Sequence, residues 1–393
     1  MATETTQQPR VVWVDWLRIT ACFLVMLVHS SEPFYLNGYD TQILTPSDLF
    51  WVSLFDSASR MAVPLFIIAS SFLLFPLQYS SGEFFRRRVR RLLVPFIVWS
   101  IAYAFVWGNP VTNLKSLLFN FNYTAVHLWF VYMLVGLYLI MPVLSPWAKR
   151  VSKRELRIYL LIWLFTTIIP ILRVWLTSGD LTLAYGSGWL PSVANYPLWG
   201  ECNWNPYGAF YYVSGMVGYL LVGLYVRRFG TESKLSRTLC ISLPLLLIGM
   251  AIVAGGYAYH ALSITDGQFP ITGPTPKTVL MESTWYNDTI GVALMTIGTV
   301  LLFKRIKSSS SFYNKIVVPV SKASYGMYLI HMLLLTPVST MLRNNLGIGQ
   351  EGSLGIWTTA VQILLTAAIT FVISAIVSIL IQGIPKVGKY IMG

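Results

Sequence analysis

The sequence is dominated by stretches of about 20 residues without a charged side chain, the length an α-helix needs to cross the roughly 30 Å hydrocarbon core of a membrane. Only 11% of the 393 residues are charged, against about 25% in an ordinary soluble domain. The sequence therefore predicts an all-α fold, a polytopic membrane helical bundle of about ten transmembrane helices in one domain, 1–393. It excludes nucleic-acid binding and a secreted disulfide scaffold as primary functions. The predicted spans lie at about 11–29, 49–78, 92–108, 127–146, 158–177, 207–226, 239–259, 285–303, 317–340 and 354–382.

The basic residues predict the orientation of this bundle, because the cytoplasmic loops of membrane proteins are enriched in Lys and Arg. With the N-terminus inside, 21 of the 28 Lys and Arg residues fall in inner segments and three fall in outer loops. This asymmetry predicts an even number of spans with both the N- and C-termini cytoplasmic. The first apolar segment contains Asp15 and Arg18 and lacks a small-residue cleavage site, so we expect it to remain as a span.

The cysteines and the known short motifs point to no cofactor site. Cys22, Cys202 and Cys240 lack metal-ligand spacing, and two of them lie in predicted spans, so they are interpreted as packing residues. The chain contains neither a phosphate-binding loop of the Walker type nor a glycine-rich dinucleotide fingerprint. The outer loops 178–206 and 260–284 are rich in Gly, Pro and aromatic residues and are predicted to form partly folded caps.

The first predicted span carries three ionisable residues, although a charge at the centre of a membrane costs at least about 2.5–3.5 kcal/mol. Asp15 and Arg18 are three residues apart, so they are predicted to pair on one helix face. His29 follows Arg18 by eleven residues, which places it about 16 Å further along the helix axis on roughly the same face. Such residues are functional candidates by default.

The second predicted span contains Asp56 and Arg60, followed by Pro64. The spacing of four allows the two charges to pair, and Pro64 is expected to kink the helix because its ring removes a backbone hydrogen bond. Arg60 has two interpretations, a salt bridge inside the bundle and a contact with substrate. The sequence does not decide between them.

All four histidines fall in the outer half of the membrane or at its outer face in this orientation: His29, His127, His260 and His331. A single membrane histidine usually forms a hydrogen bond between helices, but three on different helices at similar depth favour a shared site. Imidazole titrates near neutrality and is the usual general base. No ligand pattern with carboxylates accompanies the histidines, so no metal is predicted.

A run of arginines precedes the third predicted span. Arg87, Arg88, Arg90 and Arg91 lie within Phe84-Phe-Arg-Arg-Arg-Val-Arg-Arg-Leu-Leu-Val-Pro95. One interpretation is topological anchoring and contact with anionic membrane lipid. The other is a phosphate-binding site, because guanidinium groups bind phosphate oxygens through two parallel hydrogen bonds.

Taken together, these motifs resemble the integral membrane acyltransferase-3 family, and within it the single-domain branch that includes the O-acetyltransferase of enterobacterial common antigen. Ser70-Ser71-Phe72 stands where the family commonly has Ser-Gly-Phe, which puts close helix packing there in question. The matching segments run in family order: Trp13-Val-Asp15-Trp-Leu-Arg18 with His29; Ser59-Arg60-Met-Ala-Val-Pro64; Arg88-Val-Arg-Arg91; His127-Leu-Trp129-Phe; and Ser324-Tyr-Gly-Met-Tyr328-Leu-Ile-His331.

The resemblance implies transfer of an acyl group, usually acetyl from acetyl-CoA, to a hydroxyl of a cell-surface glycan or a lipid-linked sugar at the bacterial inner membrane. His29 is predicted to be the general base, with Arg18 orienting the donor or stabilising the carbonyl oxygen and Asp15 supporting Arg18. A covalent acyl-histidine step and a glycan exporter of the same architecture remain open alternatives. The predicted binding residues are Arg88, Arg91, Arg87 and Arg90 for acyl-CoA, and Arg60, His127, Trp129, Tyr328 and His331 for the acceptor.

Overall fold

The computed structural model describes residues 10–121, 124–176, 198–200, 207–348 and 352–393. Within these residues, eight helices are long and apolar enough to cross a membrane, and five shorter α-helices also occur. The protein is therefore an integral membrane protein built as a bundle of helices. In chain order the helices of the bundle are α1 (Val12–Phe34), α2 (Pro46–Leu74), α3 (Ser81–Val106), α4 (Val126–Arg150), α5 (Lys153–Leu176), α6 (Val217–Phe229), α7 (Leu235–Ser263), α8 (Ile290–Phe303), α9 (Tyr313–Leu346) and α10 (Gly355–Gln382). The three remaining short helices are Pro110–Leu117, Thr275–Met281 and Gly388–Ile391.

Each of the ten predicted spans overlaps one of these helices. Helices α6 and α8 contain 13 and 14 residues, fewer than the roughly 17–25 that a full crossing requires, so the count of ten spans and the cytoplasmic termini stay predictions. Helix α3 begins at Ser81, before the start predicted for the third span near residue 92, and α6 begins at Val217, after the start predicted for the sixth span near residue 207. Ser80 accepts a hydrogen bond from the Glu83 amide and caps α3, and an arginine run is compatible with a helix even outside the hydrocarbon.

Helix α1 lies at the centre of the bundle. It packs against α2, α9 and α10, and its apolar window is the most buried among the long helices of the described residues. The ionisable side chains of α1 therefore face protein rather than lipid, as is usual for charges inside a membrane bundle.

Helix α2 is divided at Arg60 into two helical segments, Pro46–Ser59 and Ala62–Leu74. Proline at position 64 lacks the N–H group that would donate to the carbonyl of Arg60, four residues earlier. The predicted interruption of this helix is confirmed. It places the side chain of Arg60 at a bend rather than in the middle of a straight helix.

The segment in which serine replaces the family's usual glycine packs closely against α6. The Ser71 hydroxyl donates to the carbonyl of Leu220 at 2.6 Å, and the side chain is fully buried. On the facing helix, a Cβ atom at Gly223 would lie 2.5 Å from the Cβ of Ser71. Close packing is retained because the glycine stands on α6 instead of α2.

A small antiparallel sheet covers the end of the bundle at which α1 finishes. It consists of β1 (Leu36–Asn37), β2 (Asp40–Ile43) and β3 (Ile271–Gly273), in the order β1-β2-β3. The loop 260–284 is thus partly folded, as predicted. Most of the loop 178–206, and Cys202 within it, lie outside the described residues. Cys22 is a buried free thiol, whereas Cys240 is free but exposed.

Candidate active site

Three histidines from three helices meet at the end of the bundle covered by the sheet. The ring of His331 on α9 lies 5.3 Å from that of His29 on α1 and 5.1 Å from that of His127 on α4, measured between ring centroids. The rings of His29 and His127 are 6.4 Å apart. The predicted convergence is confirmed for these three. Its fourth candidate, His260, instead contacts the ring of Tyr259.

A carboxylate that the sequence reasoning missed fixes the ring of His29. Glu32 lies three residues further along the chain, in the 3₁₀ turn that ends α1, and its Oε1 is 2.7 Å from Nδ1 of His29. An ionised carboxylate can only accept a hydrogen bond, so Nδ1 carries the proton and Nε2 retains its lone pair. The spacing of three residues from His29 was the signal available in the sequence.

If His29 is the general base that the sequence predicts, replacement of Glu32 by glutamine is expected to lower kcat by about 10- to 150-fold, the worth of one charge-assisted hydrogen bond of about 1.5–3 kcal/mol. The effect would fall on kcat because the carboxylate would stabilise the imidazolium that forms when His29 takes a proton. Steady-state kinetics would measure it, with Asp266→Asn as a control that removes an outer charge elsewhere. If Asp266→Asn lowered kcat to the same extent as Glu32→Gln, the loss would not be specific to Glu32, and this role would be contradicted.

The other two histidines each have a buried Nε2 atom, and the Tyr328 residue contacts both of them. Nδ1 of His331 lies 2.6 Å from the carbonyl of Tyr328, and the Tyr328 hydroxyl donates to the carbonyl of His127 at 2.6 Å. The Nε2 atoms of both rings are buried and have no hydrogen-bond partner among the described residues. A buried polar atom without a partner is costly and is often found at functional sites.

A cavity of about 490 Å³, here called the histidine cavity, adjoins this cluster. His331 is fully buried behind it and does not line it. The volume is in the range of typical small-molecule sites. The residues predicted to bind the acceptor that do line it are Arg60, His127, Trp129 and Tyr328, and it is also lined by His29 and Glu32.

Arg60 forms the predicted salt bridge and also lines the histidine cavity, while its contact with substrate stays a prediction. Its Nε donates to Oδ1 of the fully buried Asp56 at 2.5 Å, so the predicted ion pair is confirmed. Its guanidinium also lies 4.1 Å from the ring centroid of Trp285. Held in this way, Arg60 presents a cation to the histidine cavity whose position is fixed before any ligand arrives.

A second cavity, of about 640 Å³, lies at the other end of α1 and is here called the basic cavity. Its described lining contains neither Asp nor Glu. The Nε atom of Arg88 is buried there and has no hydrogen-bond acceptor among the described residues. This arrangement suits a ligand with several negative charges. The cations that line the cavity are Arg10, Arg18, Arg88, Arg91, Lys322 and Lys389.

The arginine run is divided between two environments. Arg88 and Arg91 line the basic cavity, whereas Arg87 and Arg90 do not. Arg87 pairs with Glu83, and its guanidinium lies over the ring of Tyr79. Arg90 donates to the hydroxyl of Tyr390 at 2.8 Å, and this hydrogen bond lowers the pKa of that phenol.

The predicted pair between Asp15 and Arg18 is wrong. Arg10, which precedes α1, donates to both carboxylate oxygens of Asp15 at 2.8 Å. Hydroxyl groups of Tyr313 and Ser321 donate to the same two oxygens, each at 2.6 Å. Arg18 therefore keeps its charge available to the basic cavity, where its Nη2 donates to the Ser324 hydroxyl at 3.2 Å.

The two cavities meet inside the bundle. Along α1 the lining passes from Arg18 in the basic cavity to Val25 and His29 in the histidine cavity, and α2, α4 and α9 show the same succession. Three side chains line both cavities: Phe66, Phe130 and Tyr328. The geometry thus places a space lined by cations next to a space lined by an imidazole.

Comparison with known protein families identifies the family to which the chain belongs. A family model described as an acyltransferase domain, Acyl_transf_3, matches residues 11–379, nearly the whole chain. The chain belongs to the acyltransferase-3 family. This acyltransferase-3 protein is accordingly a membrane acyltransferase, and both cavities lie within the matched region. Neither the curated proteins nor the solved structures gave a match.

Proposed function

We propose that the protein is an O-acetyltransferase of the bacterial inner membrane. It transfers an acetyl group from acetyl-CoA to a hydroxyl of a cell-surface glycan or a lipid-linked sugar. The observation that carries this proposal is the junction of the basic cavity with the histidine cavity at Phe66, Phe130 and Tyr328. A phosphorylated donor and a base that activates a hydroxyl need two spaces of this kind, joined where the reacting atoms meet.

The donor occupies the basic cavity in this proposal. Coenzyme A carries several phosphate charges, and guanidinium forks bind phosphate oxygens in bidentate fashion. Arg88 and Arg91 are the main contacts, joined by Lys322 and Lys389, which sequence reasoning had not singled out for donor binding. With the N-terminus cytoplasmic, the basic cavity opens to the compartment that contains coenzyme A. Arg87 and Arg90 then serve the anchoring and lipid-contact role that the run also suggests.

His29 acts as the general base. Its Nε2 takes the proton of the acceptor hydroxyl, and the hydroxyl oxygen attacks the thioester carbonyl carbon. The tetrahedral intermediate collapses as the C–S bond breaks, the acceptor keeps the acetyl group as an ester, and His29 returns the proton to the thiolate of coenzyme A. Glu32 stabilises the imidazolium throughout, because its carboxylate accepts the Nδ1–H.

Arg18 is placed to orient the pantetheine arm or to stabilise the negative charge on the carbonyl oxygen. Asp15 has an indirect, supporting role, because it accepts hydrogen bonds from Arg10 and from hydroxyl groups of α9. A variant of the chemistry passes the acetyl group through a covalent acyl-histidine before the acceptor attacks. Rapid quenching with labelled acetyl-CoA and no acceptor would trap protein-bound label only in that variant.

The acceptor enters the histidine cavity from the end covered by the sheet. Aromatic side chains such as Trp129, whose surface is 39% exposed, offer flat faces to the apolar side of a sugar ring. His127, Tyr328 and Arg60 supply polar contacts in the same cavity, and His331 supports them from behind. The loops 30–48, 178–206 and 260–284 are proposed to select the acceptor.

Lys389 is expected to contribute to donor binding. The segment that carries it is fixed, because Trp99 Nε1 donates to the carbonyl of Ile391 at 2.9 Å and Met392 is fully buried. Lys389→Gln should raise KM for acetyl-CoA by about 10-fold, the worth of one weak phosphate contact. Lys386→Gln removes the same charge three residues away, outside the basic cavity, and is the matched control. Equal KM values for the two variants would contradict the assignment.

The proposed function is tested with purified protein in detergent, without any ion or potential gradient. Labelled acetyl-CoA is added with isolated cell-surface glycan, and free thiol and acetylated glycan are measured. Acetyl transfer supports the proposal. If no acyl-CoA is consumed under these conditions, the proposed acetyltransferase activity is wrong, and the exporter alternative is favoured. Mass spectrometry of surface glycans with and without the gene identifies the acceptor.

A further inference from the structure

The junction between the two cavities, formed by the three side chains that line both, is aromatic. The ring centroid of Phe130 lies 5.9 Å from that of Phe66 and 5.4 Å from that of Tyr328. The Tyr328 hydroxyl donates to the carbonyl of His127, which holds the ring in place. Phe130 and Tyr328 are 7% and 5% exposed, so both rings pack mainly against other parts of the protein.

This junction is where the transferred group has to lie. Under the proposed function the nucleotide end of the donor binds beside Arg88, and the acceptor hydroxyl loses its proton to His29. The thioester carbonyl must be reachable from both sides, which places the acyl tail among the shared aromatic rings. Val25 and Val63 of the histidine cavity are further apolar neighbours, suited to a methyl group.

We propose that Phe66, Phe130 and Tyr328 form an acyl-binding subsite that accepts acetyl and rejects longer acyl chains. The inference rests on the proposed function. Non-bonded carbon atoms approach to about 3.5–4.0 Å, and Phe130 is in ring contact with both Phe66 and Tyr328, so each methylene added among these rings has to displace one of them. The subsite thus determines the donor, whereas the loops at the outer end determine the acceptor.

Phe66 is the best position at which to test the subsite, because it lies on α2 below the bend at Arg60 and contacts Phe130. Phe66→Ala should raise the ratio of kcat/KM for hexanoyl-CoA to that for acetyl-CoA by about 10-fold or more, since one methylene in an apolar pocket changes discrimination by roughly 10- to 200-fold. Phe72→Ala is the matched control. Phe72 lies on the same helical segment but packs against Trp13, outside both cavities.

Acetyl-, butyryl- and hexanoyl-CoA are compared for thiol release and transfer, after gel filtration of each detergent-solubilised variant. Phe130→Leu is a milder second variant and should give a smaller change in the same direction if Phe66→Ala does not fold. An unchanged ratio in the folded variants, or a wild-type protein that uses hexanoyl-CoA as well as acetyl-CoA, overturns the subsite alone. A wild-type protein that consumes no acyl-CoA overturns the proposed function together with the subsite.

Discussion

Replacement of His29 by alanine is expected to lower kcat for acetyl transfer by about 10²–10⁴-fold, the usual contribution of a positioned general base. In the proposed mechanism the imidazole takes the hydroxyl proton, and its orientation is set by Glu32, 2.7 Å from Nδ1. The KM for acetyl-CoA should change little, because the donor phosphates are proposed to bind in the basic cavity, about three helical turns away along α1. Initial rates with labelled acetyl-CoA and glycan acceptor measure both quantities.

His260→Ala provides the matched control for His29→Ala. It removes an imidazole from the same end of the bundle, but His260 contacts Tyr259 and lines neither cavity. It should retain wild-type kcat. A folded and membrane-inserted His29→Ala protein that still works at the wild-type rate would show that the acceptor hydroxyl is deprotonated by another group. The first alternatives to examine would then be His127 and His331, whose Nε2 atoms are buried and have no partner among the described residues.

Much of the fold could be predicted from the sequence because the bilayer imposes a simple rule. A helix in hydrocarbon must be apolar over about 20 residues, and that pattern is visible without any knowledge of packing. Local spacing also predicted contacts correctly where the partners lie within one or two helical turns. Examples are the ion pair of Asp56 with Arg60 and the interruption of the helix before Pro64. The same logic failed for Asp15, since Arg10, which lies just before α1, pairs with it in place of Arg18.

The site itself depends on contacts between residues far apart in the chain. Three histidines at similar predicted depth suggested a shared site, but their ring separations follow from the way α1, α4 and α9 pack. Spacing within one helix cannot supply such distances. Likewise, Lys389 carried only a topological interpretation, and Lys322 none, until the fold placed them in one cavity with Arg88.

The arginine run shows how packing resolves what a sequence pattern leaves open. Arg87 and Arg90 have protein partners, Glu83 and Tyr390, which suits an anchoring role. Arg88 and Arg91 line the basic cavity, and the buried Nε of Arg88 has no acceptor among the described residues. We therefore propose anchoring for Arg87 and Arg90 and phosphate binding for Arg88 and Arg91, rather than one role for the whole run.

Replacement of both Arg88 and Arg91 by alanine is accordingly expected to raise KM and Kd for acetyl-CoA by about 100-fold or more. Each charge-assisted hydrogen bond contributes about 1.5–3 kcal/mol, and about 1.4 kcal/mol corresponds to a factor of ten. The kcat at saturating donor should fall far less than in His29→Ala, because the base is untouched. Kd is measured by titration of the detergent-solubilised protein with acetyl-CoA.

The comparison among basic residues makes this prediction specific. Lys149→Ala with Arg150→Ala removes two charges from the end of α4 and should leave Kd for acetyl-CoA unchanged, since neither residue lines the basic cavity. Arg87→Ala with Arg90→Ala removes two charges from the same run and should have a smaller effect than the Arg88 and Arg91 pair. If the two double variants within the run weaken binding equally, the arginines act through their summed charge, and the cavity does not hold the phosphates in defined positions.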